Sequence, residues 1–217
     1  MASSKQQTLS APAVPTLPDP GANYSDKTVR ASNGLVRTFM RRLTGSLQAL
    51  FGPAGVQYID QPHTLIYSTL SQTPAVINTA YSATFNQTFL SNHFTLVSSS
   101  RVTASVDGVY SFVFEAHLNS SSSNSKIINF WISRNGVDVA YSNEPTTLVG
   151  SGTEDHATWA FMLDLAVDEY IEIRWSADST DVTMNPHAAS SPTPATPACL
   201  LSVSYVSPLP AVRPSIS

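Results

Sequence analysis

The chain has 217 residues, of which 42% are hydrophobic and only 12% are charged, about half the charged share of an average soluble domain. The formal net charge of −4 divides unevenly, because residues 1–60 carry six Lys and Arg against three Asp and Glu, while the remainder carries five against twelve. The acidic body argues against nucleic acid as a partner, since such binding depends on basic groups that neutralise phosphates.

The single cysteine, Cys199, excludes an intramolecular disulfide. Its apolar neighbours predict a buried, inert thiol rather than a reactive one. The first residues lack an apolar signal core, and no window approaches the ~18 apolar residues of a membrane span. We therefore expect a protein that is made in a reducing cytoplasm and has no membrane partner.

Residues 1–26 are predicted to form an extended arm. Four prolines at short intervals favour polyproline-type conformation and prevent a regular helix. Such an arm buries too little surface to fold alone, so it is either disordered or ordered by lying on a partner.

Residues 27–51 are predicted to form the one helix, within an anchor or oligomerisation segment that spans 27–60. Its apolar positions follow a 3-4 spacing: Val29, Val36, Met40, Leu43, Leu47 and Leu50. Two interpretations stay open, a short oligomerising helix in which Asn33 fixes the register, or an amphipathic helix docked on its own domain or a neighbour. Gly34 and Gly45 each cost about 1 kcal/mol relative to Ala, which argues against a free-standing coiled coil.

Four arginines give this segment its positive charge: Arg30, Arg37, Arg41 and Arg42. They predict that the segment binds an acidic protein surface, with contact to packaged DNA as the alternative.

After Pro62 the sequence is typical of strands, and residues 61–206 are predicted to form one domain that a tail, 207–217, follows. Alternation or β-branching marks the predicted strands, which are Thr64–Ser71, Ile77–Phe85, Phe94–Val97, Arg101–Val106, Gly108–Leu118, Lys126–Arg134, Val137–Ser142, Ala157–Val167, Tyr170–Ser176 and Cys199–Val206. Strands at regular spacing without intervening helices predict an all-β fold, an antiparallel sandwich or barrel.

The alternation of the strands assigns faces to three ring-bearing side chains. The odd positions of Gly108–Leu118 include His117 and suit a solvated or inter-subunit face. Trp131 lies opposite Phe130 and is the candidate for an outward or interface position, whereas Trp159 shares a face with Phe161 and is predicted in the core.

The sequence contains no recognisable catalytic, phosphate-binding or metal-binding motif. The five histidines are scattered, and none lies three to five residues from another. Asp155 and His156 are interpreted as a surface loop pair. We therefore expect no enzymatic activity, no cofactor and no metal site.

Three segments resemble the jelly roll of the C1q and tumour-necrosis-factor superfamily. Residues 108–112 (Gly-Val-Tyr-Ser-Phe) resemble its Gly-x-Tyr-x-Phe strand, and residues 131–136 resemble its strand with a following Lys/Arg-Asn-Gly turn. Residues 168–173 resemble its Gly-Asp-x-Val-x-Leu strand, with Val167 in place of the family's Gly. The family's final Phe-x-Gly-x-Leu pattern is absent. The resemblance spans about residues 75–206 and implies a homotrimer with one sheet of each domain lining the threefold axis.

Within that group, the chain resembles the versions that occur in virion proteins of tailed bacteriophages. The anchor would comprise residues 17–20, Tyr24 and the arginine-rich helix that ends in residues 50–52 (Leu-Phe-Gly). The resemblance implies a virion structural protein, either a capsid cement or decoration protein or a short fibre, which binds other capsid or tail proteins through residues 1–60.

A receptor- or carbohydrate-binding module is the alternative function. Its recognition surface would be the loops at 119–125 and 143–155, and its partner would be a host surface glycan. The localisation implied in either case is the virion.

Overall fold

The computed structural model of the protein describes residues 26–51 and 61–209. The chain divides into two compact units, residues 1–60 and 61–217. Several predicted features lie outside the described residues: the arm up to residue 25 with Tyr24, residues 52–60 of the anchor segment, and residues 210–217 of the tail.

The predicted helix is confirmed as α1, Asp26–Phe51. Both of its glycines, Gly34 and Gly45, have open space around them, so neither is required by a close contact. The hydroxyl of Thr38 donates a hydrogen bond of 2.9 Å to the carbonyl of Gly34, which satisfies the side chain within the helix.

Residues 61–209 contain strands and no helix. The strands are β1 His63–Ser68, β2 Tyr81–Ser82, β3 Gln87–Asn92, β4 Phe94–Val97, β5 Arg101–Ala104, β6 Gly108–Ser120, β7 Lys126–Arg134, β8 Val137–Asp138, β9 Glu144–Leu148, β10 Thr153–Leu165, β11 Tyr170–Ala177, β12 Val182–Met184 and β13 Cys199–Ser207.

The strands form two antiparallel sheets, so the predicted all-β jelly-roll sandwich is confirmed. The six-stranded sheet has the order β10-β6-β13-β1-β3, with β12 also paired to β6. The seven-stranded sheet has the order β4-β5-β11-β7-β8, with β2 paired to β11 and β9 paired to β7. Neighbours in space are mostly distant in sequence, as expected when successive strands alternate between two packed sheets.

The longest pairing joins β6 and β10 over thirteen residues without a register shift, from Thr153 opposite Ser120 to Leu165 opposite Gly108. Along β6 every second residue is buried, from Gly108 to Ser120. Its inward aromatic side chains meet those of the opposite sheet, as where the rings of Phe114 and Phe130 lie 5.3 Å apart. The core therefore occupies the space between the two sheets.

Two predicted strands are much shorter than expected. Ile77–Phe85 contributes only the two residues of β2, because Asn78 has a positive φ of 53° and the chain turns before it reaches the sheet. Val137–Ser142 contributes only Val137 and Asp138, although the predicted Asn135-Gly136 turn is present with positive φ at both residues.

The predicted loop at 143–155 is wrong in large part. It holds the whole of β9 and the start of β10, so that only residues 149–152 connect the two strands. Strand β9 pairs only with β7 and carries Pro145, a residue that sheets tolerate at an edge. Strands β3 and β12 were also not predicted, since β3 is largely exposed and β12 has three residues.

Gly108, at the start of β6, lies against the ring of Tyr205. A Cβ atom at this position would approach Tyr205 Cε2 to 2.5 Å, and that ring is itself packed edge-on against Tyr110 at 5.7 Å. We expect Gly108→Ala to lower the free energy of unfolding of the sandwich by about 1–3 kcal/mol, because the ring has little room to move.

Chemical denaturation followed by tryptophan fluorescence measures this change. Gly45→Ala is the matched control, since nothing lies within 4 Å of its Cβ position, and the sandwich transition should not move. An unchanged free energy of unfolding in Gly108→Ala would contradict this prediction, because it would show that the Tyr205 ring can move aside without loss of stability.

Candidate functional site

One side of the six-stranded sheet packs on the core, and the other side, which we call the outer face, carries a continuous row of apolar and hydroxyl side chains. The alternation that buries Phe112 and Phe114 turns the intervening Val113 outward. Cross-strand neighbours continue the pattern: Val113 lies opposite Ala160 on β10 and opposite Ser202 on β13, and Ser202 lies opposite Leu65 on β1.

Large apolar side chains on this face are exposed. The exposed fraction is 71% for Phe89 on β3 and 65% for Met162 on β10. Charge is sparse here: Glu115 projects from β6, and Asp164 is buried next to Arg134, whose Nη1 lies 3.4 Å from its Oδ1. A contiguous exposed apolar surface of this kind is typical of a protein-protein contact.

An apolar cavity of about 380 Å³ opens on the outer face. Strands β1, β3 and β13 and the segment before β13 contribute its lining, which includes Leu65, Tyr67, Phe89, Pro197 and Leu200. Since no charged residue lines it, the cavity suits an apolar side chain.

The outward side of the seven-stranded sheet has a different character. Glu172 on β11 is buried and accepts hydrogen bonds from the hydroxyls of Ser100, at 2.7 Å, and Ser82, at 3.2 Å. Arg174, on the same side of β11, donates to Ser82 at 2.9 Å. Glu172 and Ser82 are thus hydrogen-bonded within the domain, whereas the Nε atom of Arg174 is buried without a hydrogen-bond partner.

Three histidines meet at one end of the outer face. His117 on β6 lies directly opposite His156 on β10, and their ring centroids are 3.7 Å apart at an angle of 67°. The ring of His187, in the segment between β12 and β13, lies 5.8 Å from that of His117. Glu154 completes the group, since its Oε2 is 3.8 Å from His187 Nε2.

These side chains line a cavity of about 350 Å³, together with Asp155 and with hydroxyl groups of the segment between β12 and β13. Burial lowers the pKa of His117, and the neighbouring His156 and His187 lower it further, while Glu154 acts in the opposite direction. The cluster therefore favours a neutral His117.

The sequence pattern failed to indicate this cluster. The histidines are separated by 39 and 31 positions, and only the register of β6 against β10 and the course of residues 185–198 bring them together. The interpretation of Asp155 and His156 as a loop pair is wrong, since both lie in β10. The sequence signal that pointed toward the cluster was the placement of His117 on the outward side of its strand, where it can contact side chains of neighbouring strands.

No group of three or more His, Cys, Asp or Glu side chains in the described ranges, 26–51 and 61–209, is arranged to hold a metal ion. In the same residues, no helix is long and apolar enough to cross a membrane.

The predicted attachment residues on α1 are largely exposed. The arginines Arg30, Arg37, Arg41 and Arg42 are all exposed. In the apolar seam Val36, Met40 and Leu47 are exposed, whereas Val29 and Leu43 are partly buried. The side chain of Leu50 lies outside the described residues. The helix thus presents both basic and apolar groups at its surface.

Trp131 and His117 lie on different sheets. Trp131 is partly buried on the outward side of β7, opposite Arg174 of β11, as the alternation with Phe130 predicts. Trp159 is partly buried, stacks on Phe161 at 5.0 Å with parallel rings, and packs against the core. The loops suggested for glycan recognition reduce to residues 121–125 and 149–152, which contain no aromatic side chain for a sugar to stack on.

Comparison with known proteins shows structural similarity but no sequence relative. No family model matches the chain, and no curated protein matches it. Among solved structures, the chain is similar to the globular domain of the zebrafish complement 1qA protein, at 14% identity and a TM-score of 0.42, over 69% of this chain and 99% of that one.

Cys199 at the start of β13 is fully buried beneath the outer face. Gln72 Nε2 lies 3.5 Å from its sulfur. Burial raises the pKa of the thiol to about 12, although the contact with Gln72 lowers it in part.

We expect the native protein to react with a thiol reagent such as DTNB at pH 8 at least about a hundredfold more slowly than the unfolded chain, because the thiolate is the reactive form. Absorbance of the released thionitrobenzoate measures the rate, and the chain unfolded in guanidinium should release one equivalent, since it has one cysteine. Complete labelling of the native protein within minutes would contradict the buried position.

Proposed function

We propose that this chain is a non-enzymatic structural protein whose jelly rolls associate as a homotrimer through the outer face, while residues 1–60 attach the assembly to a larger particle. The outer face is the observation that carries the proposal. It leaves Phe89, Met162 and an apolar cavity exposed in a single copy of the chain.

A second copy of the same chain is the occupant that best fits this face. The face offers both protruding apolar side chains, such as Phe89 and Met162, and a cavity lined by apolar groups, so it can complement itself. Small side chains near its centre, including Ala160 and Ser202, permit close approach. The threefold arrangement is taken from the resemblance of residues 108–112, 131–136 and 168–173 to the C1q and tumour-necrosis-factor superfamily.

Attachment through residues 1–60 is supported by the surface of α1. Its exposed arginines and exposed apolar side chains suit an acidic protein surface with apolar pockets. Three copies held together would bind such a particle with an avidity that exceeds the affinity of one helix, without new contacts.

The particle we propose is the virion of a tailed bacteriophage, in which the chain serves as a capsid cement or decoration protein or as a short fibre. This extension relies on the resemblance of the anchor and jelly roll to such virion proteins. It also agrees with the low charge and the abundance of hydroxyl side chains on the sheets.

Met162→Glu tests the outer face directly. A carboxylate at a position that is buried between copies would be desolvated without a partner, so we expect the assembly to dissociate to monomers while the domain stays folded. Light scattering coupled to size-exclusion chromatography should give three times 23.3 kDa for the parent chain and 23.3 kDa for the variant.

Val137→Glu is the matched control, because Val137 is 70% exposed and lies on β8 of the other sheet. It should leave the assembly intact. A monomeric parent, or a Met162→Glu protein that still forms trimers, would rule out the outer face as the interface.

Deletion of residues 1–51 tests whether association of copies and attachment to the particle belong to different units. We expect the shortened chain to stay folded and to keep its oligomeric mass, since unit 61–217 contains both sheets. It should no longer join the virion when it is supplied in trans during assembly, as measured by immunoblotting of purified particles. Incorporation at the level of the full chain would contradict the proposed role of the anchor.

A further inference from the structure

We propose that His117, His156 and His187 form a proton-sensitive contact, which holds the segment 185–198 against strands β6 and β10 at neutral pH and releases it in mild acid. This inference concerns the domain itself and does not depend on the proposed function.

The backbone of His117 fastens both ends of the segment. Strands β12 and β13 pair with the same edge of β6, on either side of His117. The carbonyl of His117 accepts from Asn185 N at 2.9 Å, and its N–H donates to Ala198 O at 2.9 Å. The segment therefore leaves the sheet and returns to it at this one residue.

Few contacts hold the rest of the segment. Two backbone hydrogen bonds, of 3.0 and 2.9 Å, join His187 to Thr196, and two more join Ser190 to Thr193. Residues 188–195 are exposed, whereas His187 and Thr196 are partly buried. A segment with so little buried surface opens at a lower free energy than the strands that flank it, so a single side-chain contact can decide its position.

The histidine rings make that contact. His187 packs near His117, and His117 packs on His156, so the rings bridge the segment to β6 and β10. The 5.8 Å between the centroids of His117 and His187 is within the usual range for edge-to-face rings, and the 3.7 Å between His117 and His156 is closer still. A first proton can be shared with Glu154, which lies 3.8 Å from His187 Nε2, but a second proton places two like charges on neighbouring rings.

The charged and titratable groups around the rings come from three elements. Strand β10 contributes Glu154, Asp155 and His156, and the segment contributes His187. On β6 itself, Glu115 projects from the same side as His117. Glu115 does not line the cavity, so Glu154 and Asp155 are the two carboxylates that face three imidazole rings, and protonation of all three rings leaves a net positive charge in the cluster.

The direction of the pH effect follows from His117. Its pKa in the closed form lies below the ordinary value of 6.5, chiefly because of burial and secondly because of the neighbouring imidazoles. The open form therefore binds the proton more readily. The closed form keeps its full stability above about pH 6.5 and loses it progressively as the pH falls from 6.5 toward the lowered pKa.

Release would also change the outer face. Ala195, Thr196 and Pro197 form one wall of the apolar cavity, and Thr196 lines the histidine cavity as well. An effect on the association of copies presupposes the proposed interface, whereas the opening of the segment does not depend on it.

Hydrogen exchange of the full chain at pH 7.5 and pH 5.0, with EDTA present, tests the proposal. After correction for intrinsic exchange rates, protection of the His187 and Thr196 amides should fall by up to about tenfold per pH unit below 6.5, because each extra proton bound on opening has this effect. The amides of Phe112 and Phe114, in the middle of β6, should keep their protection. Equal corrected protection of the segment at both pH values would overturn the proposal.

Two variants separate the cluster from general acid effects. In His117→Gln and in His156→Gln the backbone hydrogen bonds of the segment remain possible, but a titrating ring is lost, so the pH dependence should become at least severalfold weaker. His156 is exposed, which makes its variant the safer one for folding. His63→Gln, at the exposed first residue of β1, is the control and should retain the parent behaviour.

A nuclear magnetic resonance titration of the imidazole C–H signals gives an independent readout. The midpoint of His117 should lie below 6.5 in the parent and move upward in a His156→Gln, His187→Gln double variant. A midpoint that the double variant leaves unchanged would show that the rings do not interact, and would also overturn the proposal.

Discussion

Strand β6 is hydrogen-bonded along both edges, to β10 on one side and to β13 and β12 on the other. Since side chains alternate along a strand, a slip of one residue would exchange the buried Phe112 and Phe114 for Val113 and Glu115. The slipped register would form similar backbone hydrogen bonds, but it would bury Glu115 without a partner, which would strongly destabilise the domain. The register of the whole six-stranded sheet is therefore set by the core side of this one strand.

The same constraint determines the outer face. Once the aromatic residues of β6 point inward, the residues between them point outward, and their cross-strand neighbours on β10 and β13 must do the same. The apolar character of Met162 and Leu200 on that side is not needed for the core of the domain. Apolar side chains kept on an exposed sheet surface are typical of a protein-protein contact, and this is why we propose the outer face as the interface between copies.

The strong alternation of β6, β7, β10 and β11 made these strands predictable, because a long strand between a core and an outer surface must alternate. Strands β3, β9 and β12 were missed because they lie at edges or are short, so that hydrogen bonding to a neighbour, rather than side-chain pattern, defines them. For the same reason the histidine cluster could not be predicted. His117 and His156 face each other only through a register, and His187 reaches them only through an irregular segment.

The proposed response of segment 185–198 to protonation depends on the position of His117. Along β6 the residues before His117 pair with β13 and the residues after it pair with β12. At His117 itself, the backbone groups bond to the two ends of the segment instead of to a continuous strand. Its side chain, meanwhile, faces the two other rings. His117 therefore anchors the segment through its backbone and also carries a side chain that can be protonated. The core side chains of β6 fix its position in the sheet.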